Sequence, residues 1–154
     1  MTHDPKSDMA SDTPTPDHLQ PETVRSRRSL VKCRPSPATG HDYLVDLKIK
    51  LQAQDRSSPY HLTIRYVPDR ELIDDGQMRE YWRFIEAAKW PSLAAIAITV
   101  LEDLNNEVIP RWLQVQLRDP LTSDYQEGSM VTIEDRQPGW HNQQMLARIS
   151  PVSF

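Results

Sequence analysis

Between residues 43 and 51 the chain reads YLVDLKIKL, and apolar and polar positions change places at nearly every step. Tyr43, Val45, Leu47, Ile49 and Leu51 fall on one side; Leu44, Asp46, Lys48 and Lys50 fall on the other. A repeat of two belongs to a strand with one buried face, because successive side chains leave a strand on opposite sides. YHLTIRYV, residues 60–67, repeats the pattern, with Leu62, Ile64 and Tyr66 on one face. The polar run QAQDRSSP between them is turn material, so the two segments predict a long hairpin that Pro68 ends. The period then lengthens. Met78, Trp82 and Ile85 stand four and three apart and predict a helix over 76–88. Pro91 breaks it and suits the first turn of a second helix, whose apolar stripe is Leu93, Ile96, Val100, Leu101 and Leu104. Ala94, Ala95 and Ala97 let that helix pack closely, and Asn105 and Asn106 suit its end. Strands return at RWLQVQLR (111–118) and SMVTIED (129–135), joined by DPLTSDYQEG. The order strand, strand, helix, helix, strand, strand is that of an α+β domain built on an antiparallel sheet.

Both ends lack the pattern. Residues 1–22 are rich in Asp, Ser, Thr and Pro and nearly empty of apolar side chains. Burial cannot offset their ordering entropy, so 1–28 is expected to be a disordered tail and 29–135 the folded domain. Arg25, Arg27 and Arg28 read as a solvated basic spot at the start of the fold, or alternatively as a small anion or partner contact. In the C-terminal tail, 136–154, Trp140, Met145, Leu146, Ile149 and Phe154 are apolar among polar neighbours. Such a tail is expected to dock on its own oligomer, or alternatively to meet a foreign partner or stay disordered.

At 154 residues one domain is expected. The net charge of −4 argues against direct nucleic-acid binding, which normally shows a basic face, although a total says nothing of a local patch. The single Cys33 excludes an intrachain disulfide and fits a reducing compartment. No apolar run reaches the roughly 18 residues of a membrane span, and the polar N-terminus shows no secretory h-region, so a cytoplasmic protein is expected. The five histidines show no metal-ligand spacing, so no metal is expected, and the four glycines form no phosphate-cradling loop. Asp74 and Asp75 suit the N-terminal end of a helix dipole. Trp82, Trp90 and Trp112 read as core or interface.

The ββααββ order, TIRYVPDRELIDDGQMREYW (63–82) and the string Leu-x-x-x-x-x-Pro-Arg-Trp-Leu-x-Val from Leu104 to Val115 resemble the NADPH-dependent 7-cyano-7-deazaguanine reductases. These are nitrile reductases of the tunnelling fold, and the resemblance covers roughly residues 30–135. It implies an antiparallel sheet with two helices packed on one face, closing into a barrel by homo-oligomerisation, with active sites between subunits. In that family a cysteine in a Cys-Pro-x-Thr-Gly motif adds as thiolate to the nitrile carbon, and NADPH reduces the resulting thioimide.

This chain reads Ser36-Pro37-Ala38-Thr39-Gly40, so a serine stands where the resemblance puts the nucleophile. A serine hydroxyl needs a neighbouring base, and the local sequence supplies none unambiguously. Asp42 sits one position short of the family's proton-donating aspartate and is either that donor or a turn residue. Cys33, three residues before Ser36, is either a displaced thiol or a small buried hydrophobe. The family's cofactor lysines map onto Asp74–Arg79, where Arg79 alone is basic. Its substrate-gripping His-Glu pair maps onto Ser92 and Leu93, and leucine accepts no hydrogen bond. The arginine near its last strand is missing. Such joint loss from a retained scaffold is what a pseudoenzyme or a changed substrate leaves. Three readings follow: a homo-oligomeric binding or scaffold protein without cofactor, with its tails free for protein partners; an active NADPH-dependent reductase in queuosine (tRNA) biosynthesis using Asp42 with Cys33 or Ser36; and a binder of a different heterocycle, for which Glu86 and Lys89 are the nearest polar candidates.

Overall fold

The computed structural model describes residues 13–54, 56–120 and 128–149. Its elements in chain order are α1 (Pro21–Arg28), β1 (Cys33–Pro35), β2 (Val45–Leu51), β3 (Tyr60–Val67), β4 (Glu71–Ile73), α2 (Arg79–Ala87), α3 (Leu93–Val108), β5 (Trp112–Asp119), β6 (Ser129–Arg136) and α4 (Gln143–Ala147). Short 3-10 turns at Asp17–Leu19 and Asp75–Gln77 lead into α1 and α2. The main sheet runs β2-β3-β5-β6, with every neighbour antiparallel. β1 and β4 form a separate antiparallel pair, which the sequence pattern did not suggest because three residues show no period.

The register turns one face of the sheet into the core. Leu47, Ile64, Val115 and Ile133 lie in one cross-strand row, and Ile49, Leu62, Leu117 and Val131 in the next. Ile64, Leu62, Val115 and Leu117 are completely buried. Tyr81 and Ile85 of α2 and Ile96, Ala97, Val100, Leu101, Leu104 and Val108 of α3 complete the same core. Two helices thus cover one face of a four-stranded antiparallel sheet, and the α+β expectation holds. Burying each large apolar side chain contributes about 1.5–3 kcal/mol.

Helix ends follow local chemistry. Ser92 caps α3, its Oγ accepting from Ala95 N at 3.1 Å. The helix runs past Asn105 and Asn106 to Val108, then stops at Ile109, whose φ of 51° lies in the left-handed region, followed by Pro110. A β-branched residue is costly there. What holds it is visible: Ile109 O accepts from Gln137 Nε2 at 3.1 Å.

The N-terminal expectation needs correction. Residues 21–28, assigned to a disordered tail, form α1, and Arg27 is buried rather than solvated. The reason is Asp103, a fully buried carboxylate on α3. Arg27 Nε and Nη2 donate to its two oxygens at 2.6 and 3.1 Å, Arg28 Nε donates at 2.9 Å and Tyr81 Oη at 2.8 Å. Burial, and after it the Asp103 carboxylate, push the Tyr81 hydroxyl well above its ordinary range, so it stays a donor. Arg27 also donates to His18 O at 3.0 Å, tying down the turn before α1. A charge buried without partners costs several kcal/mol, so α1 stays docked to keep Asp103 satisfied.

Asp103→Ala is expected to lower stability by about 3–5 kcal/mol in urea unfolding, because it strands the Arg27 charge in the core. Tyr81→Phe should cost about 1.5–3 kcal/mol, one hydrogen bond to a charged acceptor. A loss below about 1 kcal/mol for Asp103→Ala would show that α1 does not need this anchor.

Candidate functional site

The loop from β1 to β2, residues 36–44, carries the proline-threonine-glycine motif. Its entry is fixed by Ser36 N donating to Arg70 O at 2.8 Å, which prolongs the β1–β4 pairing. Ser36 Oγ lies 2.6 Å from Tyr43 Oη and accepts from Ala38 N at 3.3 Å. No imidazole or carboxylate is bonded to Ser36 Oγ among the described residues. A phenol is a poor base toward an alcohol, so this serine has a hydrogen-bond partner but no activator. Burial pushes the Tyr66 hydroxyl up to about 12, and its oxygen accepts from Ile73 N at 3.0 Å.

The rest of the loop is gripped by Arg111, the residue before β5. Arg111 Nη1 donates to His41 O and to Asp42 Oδ1, both at 2.9 Å. Its Nη2 donates to Thr39 O and, at 3.3 Å, to Asp69 Oδ1. The C-terminal segment arrives from the other side. Trp140 Nε1 and Asn142 Nδ2 donate to Asp42 Oδ2 at 3.2 and 3.0 Å. Gln137 Nε2 donates to Asp69 Oδ2 at 3.1 Å. Partial burial raises the Asp42 carboxyl, but the hydrogen bonds from Asn142, Arg111 and Trp140 and the Arg111 charge outweigh it and hold the group below its ordinary range. An ionised carboxylate with both oxygens occupied has no proton to donate at neutral pH. Arg111, Trp140 and Asn142 thus hold Asp42 in the turn through both of its oxygens.

The other candidates are dispersed. Cys33, half-buried on β1, points its Sγ at Glu107 O, 3.7 Å away. Burial pushes its thiol up, and the charges of Glu71, Glu107 and Asp74 push the same way, so it is a protonated thiol rather than a ready nucleophile. Arg79 opens α2 and lines a shallow groove of about 360 Å³ with Lys32, Arg83, Gln77 and Glu80. Glu86 lies seven residues further along α2, about 10 Å along its axis, and its Oε2 accepts from Gln52 N at 2.6 Å. That bond ties α2 to the end of β2. Lys89 follows the helix and is exposed. Ser36 and Asp42 thus share one loop, while Arg79 and Glu86 sit at opposite ends of a helix.

Tyr43 and Arg111 are the site residues that the sequence pattern did not single out. Tyr43 looked like one more apolar strand position, and Arg111 one letter of a shared string. The C-terminal segment docks on its own chain: Met145 of α4, with Arg148 and Ile149 just after it, lines a cavity of about 390 Å³ with Leu44, Asp46 and Arg65. Phe154 lies outside the described residues. No group of three or more His, Cys, Asp or Glu among the described residues is placed to hold a metal ion. No helix among them is long and apolar enough to cross a membrane.

Comparison with known proteins gives a distant relationship. The chain is similar to the NADPH-dependent 7-cyano-7-deazaguanine reductases of two strains of Acidithiobacillus ferrooxidans, each 26% identical over 99 residues. The matched stretch is 61% of this chain and 64% of each relative, so the chain spans less than two thirds of their length. No protein-family model matches.

The Asp42 contacts generate a pH prediction. A carboxyl whose folded value is depressed adds stability above its unfolded value, about 3.9, and that contribution is lost as pH falls through the folded value. Asp42→Asn should therefore be less stable than the parent at pH 7, with the gap closing below about pH 4. Unfolding midpoints of the two proteins that run parallel from pH 7 to pH 3 would refute this.

Proposed function

We propose that this chain is a tunnelling-fold protein related to the 7-cyano-7-deazaguanine reductases that works as an oligomeric binding or scaffold protein without nitrile reduction. The observation that carries this reading is the Ser36–Tyr43 hydrogen bond of 2.6 Å at the position of the nucleophile. The three groups from which the reaction would be assembled each fall short for a separate physical reason. Among the described residues no base is bonded to Ser36, Asp42 is held ionised by Arg111, Trp140 and Asn142, and the Cys33 thiol is pushed up by burial and three carboxylates.

Assembly is supported by the edges of the main sheet. β2 and β6 are its outer strands, and among the described residues neither is paired on its far side. They are seven and eight residues long. Long uncovered edges invite a strand from another chain, and closing a sheet into a barrel removes them. A homo-oligomer formed edge to edge meets that need.

One observation favours the second reading, an active or altered-substrate NADPH-dependent reductase of queuosine biosynthesis. Arg79 is not alone: Lys32 and Arg83 line the same groove and would suit a cofactor phosphate.

The two readings separate in one assay. Purified protein with 7-cyano-7-deazaguanine and NADPH is expected to show no NADPH oxidation and no mass adduct, and to elute as a multimer in size-exclusion chromatography with light scattering. Ser36→Cys should gain an adduct by intact mass, because it restores a thiol to the motif. Turnover by the parent protein, abolished in Cys33→Ala, would establish the reductase reading instead.

A further inference from the structure

The chain beyond β6 is held differently from the rest of the molecule. It turns at Pro138 and Gly139, with Trp140 N donating to Gln137 O at 3.2 Å across the turn. Gly139 takes a φ of 79°, a left-handed conformation that suits glycine. No residue from Gln137 to Ile149 is buried, and α4 is five residues long. A helix that short is unstable in isolation. Past Gln137, every main-chain hydrogen bond of the segment among the described residues is local to it. What fixes it is a pair of carboxylates on the body. Gln137 Nε2 donates to Asp69 Oδ2, and Trp140 Nε1 and Asn142 Nδ2 donate to Asp42 Oδ2. The cavity of about 390 Å³ is lined by Met145 and Ile149 of this segment and Leu44 of the body, so the apolar contact there is loose.

We infer that residues 137–149 form a strap that opens as a unit while the sheet and the three longer helices stay folded, and that its opening releases the motif loop. This goes beyond the function proposed above and does not depend on it. The division of bonds at Asp42 carries it. Oδ1 accepts from Arg111, which belongs to the body, and Oδ2 accepts only from the strap among the described residues. When the strap leaves, the carboxylate keeps its arginine and its second oxygen turns to water. Its side chain is already 23% exposed, so no charge is stranded. Asp103 is the contrast: it is wholly buried, and taking away its partners leaves a charge in the core. A segment with no buried side chain and few bonds to the body belongs at the low end of the local stabilities within one native state. The effect on the loop follows from chain order. Asp42 directly precedes Tyr43, whose hydroxyl is bonded to Ser36. A closed strap therefore holds the serine motif through Asp42, and an open one leaves Asp42 to Arg111 alone. Trp140 and Asn142 are positioning residues in this device.

The test is hydrogen–deuterium exchange of the intact protein at about pH 7, read by mass spectrometry. Amides of 143–149 are expected to exchange about 100-fold faster than those of β3 and β5. Trp140→Phe combined with Asn142→Ser removes both donors to Asp42 Oδ2, while a serine still caps α4. This variant should speed exchange by about tenfold or more both in 143–149 and in the loop, where Ala38 N and His41 N are bonded, and leave β3 and β5 unchanged. Gly139→Ala touches neither carboxylate but strains the turn, and should speed the same two segments about fivefold. Strap amides that exchange as slowly as those of β3 and β5 would overturn the inference, because the segment would then open only when the whole molecule unfolds. Faster exchange in the strap of both variants with an unchanged loop would overturn it too, as would a double variant whose β3 and β5 amides speed up in step with the strap.

Discussion

A single carboxylate inside the core sets the extent of this fold. Asp103 on α3 is wholly buried, and its oxygens are filled by two guanidinium groups from α1 and a hydroxyl from α2. Hydrophobic burial alone would not require α1. The sheet, α2 and α3 already enclose one apolar core. The acid makes the short N-terminal helix obligatory, because without α1 a charge would lie in a low-dielectric interior facing only a tyrosine. Three helices are thereby locked together through one point, and the requirement is directional and exacting where apolar packing is tolerant.

The main elements were legible in the sequence for a simple reason. β2, β5 and β6 alternate between a more and a less buried face, so their pattern survives in the letters, while β3, buried on both faces from Leu62 to Val67, still alternates apolar with polar side chains, and α3 carries an apolar stripe. What stayed hidden depends on pairing between distant residues. Arg27 reads as a surface arginine until Asp103, seventy-six positions later, is placed beside it. β1 and β4 are too short to show a period. Tyr43 and Arg111 take their roles from the loop between them, and nothing in composition links a tyrosine to a serine seven residues away as a hydrogen-bond pair.

The motif loop is gripped by one side chain from outside it, Arg111. Its main-chain carbonyls at Thr39 and His41 and the Oδ1 of Asp42 all accept from one arginine. The same guanidinium reaches Asp69, and through Gln137 that aspartate is linked to the C-terminal segment and to the strained Ile109. The distant similarity to reductases, at 26% identity, is thus compatible with a loop whose geometry is maintained by contacts unrelated to nucleophile activation.

The bond between Asn142 and Asp42 spans one hundred positions of the chain. On a ribosome adding roughly 5–20 residues per second, the loop must wait about 5–20 s after its own synthesis before its last partners emerge. During that interval β2 and β3 have their hairpin sequence in hand, but the Asp42 carboxylate has neither Trp140 nor Asn142. The loop is therefore among the last parts of the molecule to reach its final form, and the nascent chain passes through a stage in which the serine motif is more open than it will ever be again.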